Sequence, residues 1–476
     1  MFKFENLKKT NTIFLLLILI ICVIGGLTVF STTYFPSKTI SPTFLNQIIF
    51  YIIGFLIFFG LTIVNYKKFD NKYFVGSVFL ISLLLLISVL IFGETIYNAK
   101  RWINFGFFTL QPSELVKISV ILIAAFAFSF KEKVQFEKVF NIYEIKKNNF
   151  QENVIKIFLS ENFLKIIFSI FGLITFAVLI MMQRSLGNTL LILLIYLSIV
   201  FMRIELNAKF IGGFVTILFG LNLSFNLVTL DFIPSINFAG FNILMLVISV
   251  TALIFISRIP QFKFIILLVL FTLLLFTRPI LDYTYNNVIE DYQRNRIETF
   301  LNPNPTIALT EDYNRTQSIR AIGSGQIVGN GFLNGNFVKL GLLPFAFTDF
   351  AFAAYAEQFG FIGSIALVFL YFALITKILL IGYKSKDNFG KYVAYGVATM
   401  IFLNTAQHIG MNLGLVPITG VPLPLISSGG SAIITIFIGL GLVQSIEIIN
   451  EQDQEEITNF KYDFGINSQS GIIKKV

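Results

Sequence analysis

The chain has 476 residues, of which 56% are hydrophobic and 13% charged; 57 are Phe, and the formal net charge is +9. A globular protein needs roughly 25% charged residues to cover its surface, so a soluble fold is excluded and an all-α, polytopic integral membrane protein is expected. The basic residues are spread in short segments between apolar runs, which fits membrane topology signals and argues against a nucleic-acid partner.

Lys3, Lys8 and Lys9 precede an apolar run from Ile13 to Phe30. The run reaches the length of about 18 residues that a span needs, and no small-x-small cleavage site follows, so it reads as an uncleaved anchor. Cys22, the single cysteine, can form neither an intramolecular disulfide nor a cysteine metal site. Further runs long enough to span begin near Phe44, Tyr73, Ser113, Phe163, Leu186, Phe210, Phe238, Phe264, Phe347, Tyr392 and Leu425, giving about twelve helices. With both termini in the cytoplasm, the basic loops at Lys67, Lys68 and Lys72, Lys131 to Lys156, Arg203 with Lys209, Arg258 with Lys263, and Lys384 to Lys391 all face inward. Lys100, Arg101 and the Arg cluster after Leu281 fall outside, where a bound anion would account for them.

This reading divides the chain into amino-terminal spans (1–130), a polar cytoplasmic insert (131–162), central spans (163–280), a large extracytoplasmic loop (281–345), carboxy-terminal spans (346–449) and a polar, mobile tail (450–476). In the long loop, Arg294, Arg296, Arg315 and Arg320 can clamp phosphate oxygens, or pair with lipid headgroups and with Glu290, Asp291, Glu298, Glu311 and Asp312. The segment AIGSGQIVGNGFLNG contains G-x-G but follows no strand, so its glycines read as permissive turns close to a ligand or another loop. In KRWINFGFFTLQPSELVK, Pro112 suits a first helical position and Glu114 its first turn. Lys117 follows three residues on, where the two can neutralise each other or face a site inside the protein. His408 reads as a satisfied intramembrane histidine. PITGVPLPLISSGGSA implies broken helix at membrane depth, tolerated only where it lines a cavity or packs on protein.

Four stretches carry a family resemblance: KRWINFGFFTLQPSELVK; YQRNRIETFLNP with QSIRAIGSGQIVGNG; LPFAFTDFAFAAYAEQFGFIG; and NLGLVPITGVPLPLISSGGSA. In that order they resemble the SEDS family, the group that contains RodA and FtsW, and the likeness extends over most of the chain. It implies a SEDS-type helix bundle with a core of about ten spans, so that the runs near Phe210 and Phe238 read as an added pair that keeps the loop alternation. It also implies a peptidoglycan glycosyltransferase that polymerises lipid II on the outer face of the bacterial cytoplasmic membrane. Such enzymes work beside a class B penicillin-binding protein in the elongation machinery, and Gly-Val-Pro-Leu-Pro with HIGMN before it leans toward the RodA branch. The chain departs from the pattern at Gln183 to Asn188, where an acid is lost and Arg184 gained, and at Ser428, where the family has Tyr.

The implied chemistry has a sugar hydroxyl attack an anomeric carbon while undecaprenyl pyrophosphate leaves. It requires a carboxylate to take the proton and cations to stabilise the leaving group. At the family's acid position this chain has Ile307; the acids nearby are Asp312 and then Glu311, with Asp312 reading equally as a turn acid or a partner of Arg315. Candidates for holding substrate are Arg101, Trp102, Gln111, Ser113, Glu114, Lys117, Arg294, Arg315, Gln317, Ser318, Asp349, Glu357, Ser427 and Ser431. Helix capping is the competing reading of Asp349. No cofactor is readable, and a divalent cation is left open. A flippase or transporter for a lipid-linked precursor and a catalytically weak scaffold are the competing functions.

Overall fold

A computed structural model describes residues 9–35, 39–96, 99–106, 108–130, 161–203 and 311–463. The insert 131–160, the runs near Phe210, Phe238 and Phe264, the loop to residue 310 with Arg294, and the end of the tail lie outside the described residues. Backbone packing divides the chain into Met1–Arg203 with Pro305–Val476, and Ile204–Asn304; all described residues belong to the first unit.

Every other expected span has its helix. The described helices are α1 (Thr12–Tyr34), α2 (Pro42–Ile63), α3 (Lys72–Phe92), α4 (Pro112–Phe128), α5 (Glu161–Met182), α6 (Leu186–Arg203), α7 (Glu311–Ser324), the one-turn α8 (Asn336–Lys339), α9 (Ala351–Lys384), α10 (Asn388–Asn412) and α11 (Gly430–Asp463). Their starts follow local chemistry. The side chains of Asn11, Ser41, Asn71 and Asp387 accept the amides of Phe14, Phe44, Tyr73 and Gly390, and so cap α1, α2, α3 and α10. Asn450, expected to open a mobile tail, is instead buried within α11, which runs on to Asp463. Between α3 and α4 the chain adds three short antiparallel strands, β1 (Glu94–Ile96), β2 (Ala99–Asn104) and β3 (Thr109–Leu110), with Glu94 opposite Trp102 and Ile103 opposite Leu110.

Seven described helices, α1, α2, α3, α5, α6, α9 and α11, are long and apolar enough to cross a membrane. Their outward faces leave Leu16, Leu56, Phe171 and Phe369 exposed, an apolar surface that lipid rather than water solvates. The chain is a multi-pass membrane protein. At the centre stands α4, buried without interruption from Val116 to Phe128 and packed on α3, α5, α6, α10 and α11.

The sheet, the α5–α6 turn, α7, α8 and the broken segment before α11 share one end of the bundle, here the sheet end. The opposite end is tied by charge and hydroxyl contacts. Lys67 pairs with Asp453 at 2.9 Å, and Lys377 and Asn11 reach Glu447 at 2.9 and 2.8 Å. The buried Tyr66 hydroxyl donates to Asp387; burial, with that carboxylate beside it, pushes the phenol's pKa up, so the proton stays available.

Close helix approach sets the α2–α11 interface, where a Cβ on Gly54 would lie 2.1 Å from the Phe437 ring, whereas one on Gly76 of α3 would meet nothing within 4 Å. Gly54→Val therefore costs about 1–3 kcal/mol by overpacking and Gly76→Ala does not destabilise. Thermal melting in detergent checks the contrast, and equal behaviour of the two variants would refute it.

Candidate functional site

The sheet delivers the chain into α4 and fixes its first turn. Arg101 of β2 donates through Nε to the Gln183 carbonyl at 3.3 Å and through Nη2 to that of Arg184, tying the sheet to the α5–α6 turn. Trp102 is half-buried beside it. The Gln111 amide donates to Ser431 Oγ at 2.8 Å, joining the start of α4 to the start of α11. Ser113 Oγ accepts from Asn188 Nδ2 at 3.0 Å and Gln111 Nε2 at 3.2 Å.

One turn deeper, Lys117 Nζ lies 2.9 and 3.0 Å from the two oxygens of Glu114. Glu114 is 2% and Lys117 0% exposed. The two do pair, as their spacing predicts, and each alone would cost several kcal/mol at this depth. Polar atoms at this end of the bundle are not all used. Asn188 Oδ1, on the side chain that donates to Ser113, is buried without a hydrogen-bond partner, as are Gln183 Oε1, Asn404 Oδ1 and Thr405 Oγ1 and, elsewhere in the bundle, Gln47 Oε1, Gln444 Oε1 and the Asn450 side chain, a condition rare in folded proteins. Antiparallel α4 and α10 meet where Gly396 faces Ile121. Following both helices about 12 Å toward the sheet end brings Asn404 level with Ser113. The bundle interior at this height is polar and charged within an apolar shell.

A second knot joins α7, α9 and α10. Ser318, fully buried, donates to the Asn412 carbonyl at 2.9 Å, and Arg315 Nη2 donates to the Gly414 carbonyl at 3.0 Å. Gln317 is also buried. Asn412 Nδ2 donates to the Asp349 carbonyl at 3.0 Å and its Oδ1 accepts from Ala353 at 3.0 Å. Glu311 and Asp312, expected on an irregular loop, form the first turn of α7. Asp349 is half-buried near Gly420 and is not the α9 cap: Phe350 holds that position with no side-chain cap bond.

Glu357 has a different setting from the one its sequence position suggests. Fully buried, it accepts the amides of Phe337 at 2.8 Å and Val338 at 3.3 Å, capping α8 from a distance. The helix bearing it breaks at Gly360 (φ 65°, ψ −164°). There the glycine-rich segment lies against it, with Phe361 and Ile362 donating to the Gln326 and Ile327 carbonyls at 2.8 and 3.1 Å. A Cβ on Gly329 would lie 2.2 Å from the Gln358 carbonyl oxygen. These glycines thus serve close approach to another backbone.

The broken segment before α11 is accounted for group by group. Tyr371 and Tyr51 hydroxyls donate to the Pro424 and Leu425 carbonyls, each at 2.6 Å. Ser427 Oγ donates to the Thr348 carbonyl at 2.7 Å and accepts from Leu423 at 2.9 Å. His408 Nδ1 meets the Val421 carbonyl at 2.8 Å and Nε2 faces the Phe352 amide at 3.4 Å. Both contacts are met by the neutral Nδ1–H tautomer, which makes it a satisfied histidine. Sequence reasoning missed Asn188, Asn412, Tyr51 and Tyr371; their one signal is a polar side chain inside an apolar run.

Fold and site together define a polytopic helical membrane protein with a charged interior near one membrane face. The profile of the FtsW/RodA/SpoVE cell cycle proteins matches residues 11–233 and 239–452. The chain belongs to this family. FtsW of Wigglesworthia glossinidia brevipalpis is 30% identical over 404 residues, covering 84% of this chain and 82% of the relative. The peptidoglycan glycosyltransferase RodA of Treponema pallidum is 28% identical, covering 93% and 99%. A solved chain from a peptidoglycan synthase complex that coordinates polymerization and crosslinking matches with a TM-score of 0.61 at 20% identity, over 93% of this chain and 99% of that one. This last likeness bears on the fold.

Lys117→Met leaves the Glu114 carboxylate buried without its cation and should cost about 3–5 kcal/mol of stability. Adding Glu114→Gln should recover most of it, because two neutral groups replace two charges. Melting temperatures of the single and double variants decide; a double variant as unstable as the single would place the cost elsewhere.

Proposed function

We propose that this chain is a peptidoglycan glycosyltransferase that polymerises lipid II at the outer face of the bacterial cytoplasmic membrane. The carrying observation is the buried Glu114–Lys117 pair with the unpartnered oxygen of Asn188 at the turn next to it. A buried ion pair is no more stable than well-packed apolar residues of similar volume, so stability alone does not explain its place in an apolar bundle. A substrate carrying hydroxyls and a pyrophosphate does explain it. The names of the relatives, RodA of Treponema pallidum among them, support the same activity.

Orientation follows from charge. The end opposite the sheet carries Lys67, Lys68, Lys72, Lys165, Arg203, Lys384, Lys386 and Lys391, which by the positive-inside preference supports a cytoplasmic side for it, with the start of α1 and the end of α11. The sheet end then faces outward, with Glu311 and Asp312 opening α7 there. In the reaction, an acceptor sugar hydroxyl forms a bond to the donor's anomeric carbon as that carbon's bond to the pyrophosphate oxygen breaks. The leaving pyrophosphate takes the electron pair, a carboxylate from the first turn of α7 takes the hydroxyl proton, and cations at this end offset the developing charge. Asp312 is the first candidate for the acid and Glu311 the second. A role in elongation beside a class B penicillin-binding protein is supported by HIGMN and Gly-Val-Pro-Leu-Pro and by the synthase complex to which the matching solved chain belongs.

Purified protein, with and without its transpeptidase partner, should polymerise labelled lipid II. Asp312→Ala or Glu311→Ala should lower the rate by on the order of 10²-fold or more, and the Glu114→Gln/Lys117→Met variant should fold but fail to polymerise. Full activity in both acid variants would sink the acid assignment. Absence of polymer under every condition, with lipid II crossing liposome membranes, would favour a flippase.

A further inference from the structure

Helix α7 is polar along most of its length. Among its described side chains only Gln317, Ser318 and Ala321 are buried, with Ile322 partly buried against the core, while Tyr313, Thr316, Ile319 and Arg320 are exposed. Two apolar side chains near one end are a narrow stripe on which to fix the rotation of a helix. Its carboxy-terminal end is held by the glycine-rich segment, where a Cβ on Gly325 would lie 2.2 Å from the Ala356 carbonyl oxygen. Toward its start, the polar contacts to Asn412 and Gly414 do the holding.

Those contacts fall on the end of α10. The last carbonyls of a helix have no intrahelical partner, and here α7 supplies donors from one face: Ser318 Oγ to Asn412 at 2.9 Å and Arg315 Nη2 to Gly414 at 3.0 Å. The Asn412 side chain sets the direction of that end. Its Nδ2 donates to the His408 carbonyl at 2.8 Å and the Asp349 carbonyl at 3.0 Å, and its Oδ1 accepts the Ala353 amide at 3.0 Å. Asn412 is 0% exposed and both its donors are engaged, so it has none left for a substrate. Ser318 is equally enclosed and its single proton is spent.

We propose that Asn412 and Ser318 form a latch that positions the first turn of α7, and that both act as positioning residues rather than as substrate contacts. Asp312 lies six residues before Ser318, about 9 Å along the helix, so play at the latch is transmitted to the turn that carries the acids. A misplacement of about 1 Å at a reacting group can cost on the order of 10²-fold in rate. The inference rests on the polymerase reading and on the acid lying in that turn.

The test uses the full-length protein with its transpeptidase partner. Ser318→Ala and Asn412→Asp should lower kcat by roughly 10- to 100-fold with KM changed less than about threefold, whereas Ser318→Thr, which keeps the hydroxyl, should restore kcat. The Ser318→Ala/Asn412→Asp double variant should lose less than the product of the two single losses, since both loosen one junction, Ser318 through the Asn412 carbonyl and Asn412 through the side chain that directs it. Independently of activity, spin labels at Tyr313→Cys on α7 and Ile40→Cys before α2, on a Cys22→Ala background, should give a narrow distance distribution. That distribution should broaden in Ser318→Ala and stay narrow in Ser318→Thr. A raised KM with unchanged kcat, equal loss in the Ala and Thr variants, or an unbroadened distribution in Ser318→Ala would overturn the latch. If the unmodified protein makes no polymer, the polymerase reading fails and the distance measurement alone decides the latch. If Asn412→Asp does not fold, the two Ser318 variants decide it.

Discussion

The cost of an unpartnered polar group away from water governs this structure. In hydrocarbon, each unmade hydrogen bond costs several kcal/mol, so every departure from regular apolar helix must bring its partners with it. The non-helical stretch before α11 shows how this is met. Its Pro424 and Leu425 carbonyls are received by phenols from α9 and α2, and Ser427 bridges to Thr348. Three separate parts of the chain are thereby bound to one another by the need to satisfy a break in a fourth. The same constraint gives the buried oxygens of Asn188 and Asn404 their meaning. Among the described residues the bundle leaves several buried side-chain acceptors unused, at Gln47, Gln444 and Asn450 as well, and that of Asn188 sits on the side chain bonded to Ser113, next to the one fully buried charge pair.

Chemistry at a membrane surface needs a fixed wall and correctly placed reactive groups, and the described elements divide that work. Helix α4 is rigid by packing, enclosed by five neighbours and anchored at its start by Ser431 and, through Ser113, by Asn188. The charge pair on it has almost no freedom to move. Helix α7 is held by a few hydrogen bonds and a small apolar patch around Ala321, Val338 and Phe350. Elements with little buried apolar area open most easily, and a part of that kind would suit the proposed admission and release of a lipid-linked sugar.

Much of the bundle was legible because its signals are local. Apolar runs of spanning length near Ile13, Phe44, Tyr73 and Tyr392 mark the helices, Pro112 and Glu114 mark the first turn of α4, and the i, i+3 spacing of Glu114 and Lys117 allows their pairing. The small sheet was not anticipated, since strands of two to six residues carry too little alternation to register. Glu357 read as a candidate for holding substrate because its partners, the amides of Phe337 and Val338, belong to a one-turn helix that no periodicity marks. The joining of Gln111 to Ser431, 320 residues apart, is a property of the folded bundle and leaves no trace in either local sequence.

The helical state of Glu311 and Asp312 changes how the missing family acid should be understood. On an extended loop, an acid displaced along the chain can swing back over many ångströms, because each residue adds about 3.3–3.6 Å of reach. Within α7 each residue advances only about 1.5 Å, so the acids are carried wherever the helix as a whole is placed. Compensation for Ile307 then has to come from the position of α7 rather than from local flexibility. That position is set by polar contacts with the end of α10, the part of the bundle that also holds the start of α9 and, through His408, the broken segment before α11. The displaced acid and the polar surroundings of Asn412 are in this sense one problem: on the proposed reading, a helix with little apolar burial depends for its placement on the carbonyls at the end of α10.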